Sequence, residues 1–377
     1  MRELLNSKGN FMRYDFLIVG AGFAGAVAAR KLADLGNKVM LVDKRSHIGG
    51  NAYDCVDSHG VLIHPYGPHI FHTNSKKIIE FLSGFTNWRF YEHRVLAKVG
   101  SELYSIPINR QTINKFFKVD LTEDQVESFL EGKRVLRSPI KTSEDVVLNS
   151  VGNELCEAFF RGYTRKQWNL DLSELSAGVA ARIPTRTNDD DRYFSDTYQM
   201  MPANGYTAMF EKMLSSENIE IKLNFDFLAN RTQYEFDKLI YTGPIDAFYD
   251  YSLGRLPYRS LRFEHEYLTV NNFQSVGTVN YPLDEAFTRI TEFKHLTGQN
   301  ISGTSIVKEY SQSEGDPYYP VPNPVNEDLY QQYSLKADGE KNVFFVGRLA
   351  QYRYYNMDQV VASSLALVDK ILGKANA

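Results

Sequence analysis

The sequence predicts an α/β fold: a mostly parallel sheet assembled from separated segments, with a helical domain and an antiparallel β-sheet domain inserted between them. Three observations predict it. Residues 14–43 read strand, glycine-rich turn, helix, strand. Helical patterns dominate from about residue 76 to 180, and alternating segments between roughly 255 and 310 read as antiparallel strands. The chain then returns to α/β grammar, with "NVFFVGR" as a short buried strand ending in glycine and "QVVASSLALVDKIL" as an amphipathic helix.

Taken in order, Phe16 to Val19 is an apolar strand, Ala24 to Leu35 is helix-forming, Gly36 stops that helix, and Val39 to Val42 is apolar again. In "TSEDVVLNSVGNELCEAFFRG" Thr142 opens a capping box to Asp145. Val147, Val151, Leu155 and Phe159 then recur every fourth residue, the stripe of one amphipathic helix. "SVGTVNY", "FTRITEF" and "TSIVKEY" alternate as half-buried strands do. The expected division is 12–75, 202–250 and 335–377 for the parallel-sheet domain, 76–88 and 109–180 for the helical domain, and 89–108, 181–201 and 251–334 for the antiparallel sheet, which would also carry the substrate site. Residues 1–11 are expected to form a disordered leader. No internal repeat or low-complexity tract is visible.

Composition narrows the function. A chain of 377 residues that is 43% hydrophobic and 23% charged has material for a large core and more than one domain. A net charge of -4 offers no global basic field, so nucleic acid is not the expected partner, and an anionic ligand must be held by local arginines. Cys55 and Cys156 lie far apart without CxxC spacing, against a disulfide framework or structural zinc and in keeping with a cytoplasmic protein. The N-terminal residues contain no secretory core, and no stretch approaches the roughly 20 apolar residues of a membrane span.

"GAGFAG" carries the first chemical signal. Gly20 permits a tight turn, Gly22 lets backbone approach a pyrophosphate, and Gly25 allows close helix–strand packing, while the helix N-terminus supplies positive potential. Asp43 ends the next strand, where a carboxylate accepts hydrogen bonds from a ribose. The following "DKRSHIGGNAY" adds Gly49 and Gly50, a second glycine turn resembling that of flavoprotein oxidases, and "VFFVGR" resembles the distant strand that completes an FAD site. No second GxGxxG is present for a nicotinamide domain. The turn is read as holding FAD, in a Rossmann-like FAD-binding domain.

"DKRSHIGGNAY", "YGPHIFHT", "GYTRKQW", "ARIPTR", "YFSDTYQ", "FTRITE", "DPYYP" and "VGRLAQYRYYNMDQV" together resemble the bacterial UDP-galactopyranose mutases, in family order from residue 14 to the C-terminus. The resemblance implies an isomerase that interconverts UDP-galactopyranose and UDP-galactofuranose without net oxidation. Its FAD is active when reduced, and N5 of the flavin attacks the anomeric carbon and displaces UDP. A homodimer is also implied.

By the same matching, Arg182 and Arg289 are catalytic arginines facing the UDP pyrophosphate, and His69 lies beside the isoalloxazine. Cofactor contacts fall to Gly20, Gly22, Gly25, Asp43, Lys44, Arg45, Gly49, Gly50, Asn51, His69, Gly347, Arg348 and Met357. Substrate contacts fall to His72 at the sugar, Tyr193 stacked on uracil, Tyr163, Trp168, Phe159 and Arg259 near the nucleotide, and Tyr319, Tyr354 and Arg348 around the phosphates. Spacing alone would make each arginine a surface residue and each aromatic a core or rim residue. His64, His69 and His72 lack the carboxylate pattern of zinc hydrolases, so no metal is expected.

Asp43 stands where many relatives carry Glu, and Asn356 where an acidic residue is common. His72 and Ser176 resemble the galactose type, since N-acetyl variants carry arginine at such positions. Open alternatives are a mutase of UDP-N-acetylgalactosamine or of a deoxy-sugar nucleotide, a flavin oxidase or dehydrogenase, and a silent nucleotide-sugar binder.

Overall fold

The computed structural model describes residues 13–373, so the expected leader 1–11, and Met12, lie outside the described residues. A five-stranded sheet, parallel throughout, is built in the spatial order Ile219–Lys222, Val39–Val42, Arg13–Val19, Glu235–Tyr241, Val343–Phe345. Parallel strands buried on both faces read as unbroken apolar runs, as "VMLV" does. Val39 and Leu41 face one core with the helices Phe23–Ala33, Gly205–Leu214 and Met357–Ile371; Met40 and Val42 face the other with Phe225, Phe227 and Tyr333. The first helix is shorter than expected, ending at Ala33 two residues before Leu35, and Gly36 follows in the left-handed region.

The second sheet has seven strands, ordered Tyr319–Pro320, Tyr258–Leu268, Thr304–Gln312, Arg289–Glu292, Thr278–Asn280, Val95–Val99, Glu102–Ile106. It is antiparallel except at one seam, where Thr278–Asn280 runs parallel to Val95–Val99. The whole helical unit lies between those strands in sequence, and such a long crossover lets the chain return in the same direction. "FTRITEF" is strand only as far as Glu292; Phe293–Thr297 continues as a short helix. Phe71–Thr73, Tyr198–Pro202 and Trp88–Phe90 form a third, three-stranded sheet that joins segments expected in all three domains.

The helical unit comprises Arg110–Phe117, Glu123–Glu131, Ser143–Leu155 and Gly162–Trp168. Thr142 and Asp145 form the expected capping box. Val147, Val151, Leu155 and Phe159 are all buried in one core. They do not, however, ride on one regular helix. Gly152 leaves helical geometry at φ +76°, where a Cβ would collide with the Lys133 carbonyl, and residues 156–161 form a wider π-type turn. Such a bulge re-aims the segment after it, here the one holding Tyr163 and Trp168.

Candidate active site

A cleft of about 1200 Å³ opens at the carboxyl ends of the parallel strands, where α/β proteins bind ligands. Its floor is the glycine turn. Gly20 sits at φ +104° with its N–H on the Val42 carbonyl, and a Cβ there would meet the Thr242 hydroxyl. Gly22 and Gly50 are in backbone contact, so a Cβ on Gly50 would lie 2.9 Å from the Gly22 Cα. Gly22 caps the helix Phe23–Ala33 without any side-chain hydrogen bond, so the positive end of that helix faces the cleft unoffset. Gly347, at φ +101°, closes against Ala24, and Gly49, Asn51, His69, Arg348 and Met357 line the same space. A turn without side chains, an uncapped helix N-terminus and an adjacent carboxylate fit a dinucleotide.

Asp43 is nearly buried, its two oxygens accepting the backbone N–H of Ala21 at 2.7 Å and of Arg45 at 2.8 Å. Each carboxylate oxygen keeps a lone pair for a ribose hydroxyl. Lys44 and Arg45 line the cleft but direct their charges to Asp316, at 3.0 and 3.4 Å, and Arg45 also donates to Asn51. They tie the nucleotide domain to the strand-sheet loop across the cleft.

The three histidines sit in three different settings. His69 donates Nδ1–H to the Gly67 carbonyl at 2.9 Å, which leaves Nε2 as an acceptor, and its backbone N–H donates to Nδ1 of His64. Burial pulls the fully buried His64 down to about 4; burial and then His64 pull His69 down to about 3. His72 instead pairs Nδ1 with Asp196 at 2.8 Å and stacks on Phe194 at 3.7 Å. Among the described residues no group of three or more His, Cys, Asp or Glu side chains could hold a metal ion.

Beyond the glycine turn, arginines and tyrosines converge. Arg289 donates to the Tyr163 hydroxyl at 2.5 Å and lies 3.4 Å from Glu309, whose side chain is only 3% exposed. Burial works against the Arg289 charge, but Glu309 and the surrounding tyrosines outweigh it and raise its pKa well above the usual value. Burial pushes the Glu309 carboxyl up against the pull of Arg289. Arg182 stacks on the Tyr354 ring at 4.2 Å, donates to the Tyr354 carbonyl at 3.1 Å and contacts the Asn356 side-chain oxygen. Arg348 lies 5.3 and 5.8 Å from the Tyr319 and Tyr354 rings, and its guanidinium holds the Tyr355 and Tyr318 carbonyls. Tyr354 packs edge-on against Tyr319 at 5.2 Å and Trp168 at 5.6 Å. Tyr193 is half-buried beside them, its N–H on the His93 carbonyl.

Two expected substrate residues stand apart. Phe159 is packed in the helical core against Tyr104 and Phe116, a consequence of its place on the apolar stripe. Arg259 lines the cleft, yet its guanidinium is spent on the Gln167 carbonyl and the hydroxyls of Ser311 and Ser313. Glu309, Asp196 and Tyr318 go unnoticed in sequence. Glu309 alone leaves a trace, a carboxylate among the buried positions of "TSIVKEY".

A Rossmann-like sheet, a glycine-turn cleft at its carboxyl edge and a cluster of arginines and tyrosines beside it define a flavoenzyme-type α/β protein. Sequence comparison is more specific. A model of the UDP-galactopyranose mutase family matches residues 158–354, and one of NAD(P)-binding Rossmann-like domains matches 18–85. The chain is 41% identical over 366 residues to a probable UDP-galactopyranose mutase of Klebsiella pneumoniae, covering 95% of this chain and 94% of that one. It is 37% identical over 364 residues to the dTDP-fucopyranose mutase of Escherichia coli, covering 93% and 96%. A crystal structure of reduced UDP-galactopyranose mutase superimposes with a TM-score of 0.77 at 17% identity, over 97% of this chain and 95% of that one. The chain belongs to the UDP-galactopyranose mutase family and is an isomerase. No helix among the described residues is long and apolar enough to cross a membrane.

Proposed function

We propose that this protein binds FAD and, with the flavin reduced, interconverts UDP-galactopyranose and UDP-galactofuranose. The observation that carries the reading is the gathering of Arg182, Arg289 and Arg348 with Tyr163, Tyr319 and Tyr354 beside the glycine turn. In a chain of net charge -4, so local a concentration of guanidinium is what a pyrophosphate needs.

When bound, the reduced flavin supplies a nucleophile, N5, for the anomeric carbon, and is regenerated unchanged. The chain's own residues do the rest. Gly20, Gly22 and the N-terminus of Phe23–Ala33 would hold the cofactor's pyrophosphate, Asp43 its ribose, and Gly49, Gly50, Asn51, Gly347 and Met357 the walls. His69, neutral and with Nε2 free to accept, would lie beside the flavin ring. Arg289, Arg182 and Arg348 would neutralise the departing UDP and keep it for recapture, with Tyr319 and Tyr354 donating to its phosphates. His72, oriented by Asp196, would meet the sugar, and Tyr193 the uracil. The same reading makes the enzyme a cytoplasmic homodimer.

The fucose relative makes a 6-deoxy sugar on a thymidine nucleotide the natural competitor. A panel of UDP-galactofuranose, UDP-N-acetylgalactosamine and dTDP-fucofuranose tests it: kcat/KM should be highest for the first, and a preference for either of the others would overturn the substrate assignment.

A further inference from the structure

We propose that Lys166 is a positioning residue for Arg289, holding the loop that delivers this arginine against the helix that carries Tyr163. The proposal rests on the reading of Arg289 as a nucleotide-binding residue.

Thr278–Asn280 and Arg289–Glu292 pair as an antiparallel hairpin, and residues 281–288 form its loop. The base of the loop is closed by the Tyr281 N–H donating to the Thr288 carbonyl at 2.9 Å. An ammonium has three N–H bonds. Lys166 spends all three on this one loop, donating to the carbonyls of Tyr281, Glu285 at 2.9 Å and Phe287 at 3.2 Å. Three backbone carbonyls are thereby gathered on one cation, the last of them two residues before Arg289.

The helix side of the clamp is equally specific. Tyr163 and Lys166 are three residues apart, so they share a helix face. One of them hydrogen-bonds the Arg289 guanidinium while the other grips the loop leading to it. Helix and loop are in backbone contact at Gly162, where a Cβ would run into the Pro282 carbonyl. The opposite wall is set by Glu309, 3.4 Å from Arg289, on the neighbouring strand Thr304–Gln312. Removing the clamp frees the loop to lift from the helix and carries Arg289 away from Tyr163. Lys98 also reaches this loop, pairing with the Glu285 side chain at 3.3 Å and lying 5.5 Å from the Tyr281 ring, but its side chain is 41% exposed and holds none of the loop carbonyls. Such a surface pair restrains the backbone little.

The test is UDP affinity of the flavin-loaded protein by calorimetry, with flavin content and melting temperature measured alongside. Lys166→Met should retain flavin yet weaken UDP binding about tenfold or more, and Lys166→Arg should restore most of it, while Lys98→Ala leaves it within about twofold. On an Arg289→Ala background, Lys166→Met should cause no further loss, because its effect passes through the arginine. Lys166→Gln, which keeps two donors, is judged by the same criteria should the methionine variant not fold. UDP affinity unchanged in folded Lys166→Met, or in Lys166→Gln where it stands in, or a loss that adds in full to that of Arg289→Ala, would overturn the positioning role. Unchanged UDP affinity in Arg289→Ala alone would overturn the nucleotide reading, and the proposal with it.

Discussion

Truncating Arg289 to alanine removes a guanidinium held between the Tyr163 hydroxyl and Glu309. Two losses add. A preorganised charge facing a leaving group is worth on the order of 3 kcal/mol, about a hundredfold in rate. The second loss is electrostatic: Glu309 stays behind, 3% exposed and without its cation, where the proposed function puts an anionic ligand. Breaking a buried pair from one side costs about 3–5 kcal/mol, less whatever is relieved when the carboxyl takes up a proton. Burial already pushes Glu309 upward, and losing Arg289 removes the pull in the other direction. The kcat/KM of the reduced enzyme, followed by chromatography of the two ring forms, should therefore fall at least a hundredfold at neutral pH, and by less in mildly acid buffer. Flavin absorbance should be unchanged. Arg289→Ala combined with Glu309→Gln should recover about tenfold of the loss by removing the stranded charge. A single variant within about tenfold of wild type, or a double variant no better than the single, would refute the reasoning.

Gly25→Ala places a Cβ on the Gly20 carbonyl oxygen, so it should yield protein without flavin absorbance, whereas Gly60→Ala, with open space around it but φ +87°, should lower the melting temperature and keep the flavin. Asn356→Asp gives Arg182 a charged partner that competes with an anionic ligand; it should weaken UDP binding of the flavin-loaded protein, and unchanged UDP affinity would contradict the placing of Arg182 at the phosphates. His64 and His93 are buried neutral, pulled by burial down to about 4 and about 3. Their folded pKa values are depressed, so their contribution is complete above the unfolded value and fades as pH falls from about 6.5 toward 4, at up to about 1.4 kcal/mol per pH unit each. His93→Gln should flatten that decline by about one proton in pH-dependent denaturant titrations, and an unchanged slope would contradict it.

Local signals carried much of this fold in the sequence. Gly20, Gly22 and Gly25 declare themselves because the backbone geometry they allow is written in their identity, and "VMLV" because a strand buried on both faces has no polar position. The capping box at Thr142 was equally readable, its two hydrogen bonds spanning three residues. What stayed hidden is non-local. The parallel seam at Thr278–Asn280 depends on where a long crossover returns, and the break at Gly152 on the carbonyl of Lys133 in the turn after the helix Glu123–Glu131. Phe159 follows the period of core residues and belongs to the core, though motif matching alone put it at the substrate. The partners of the candidate site residues were the least legible, because Glu309, Asp196 and Asn356 meet Arg289, His72 and Arg182 only through the tertiary fold.

Incubating purified, flavin-loaded protein with UDP-galactofuranose, with and without dithionite, tests the central claim most directly. Conversion to UDP-galactopyranose only after reduction, with no reductant consumed per turnover, is the expected result. Stoichiometric reduction of the flavin by substrate, or bound flavin with no conversion in either state, would contradict it.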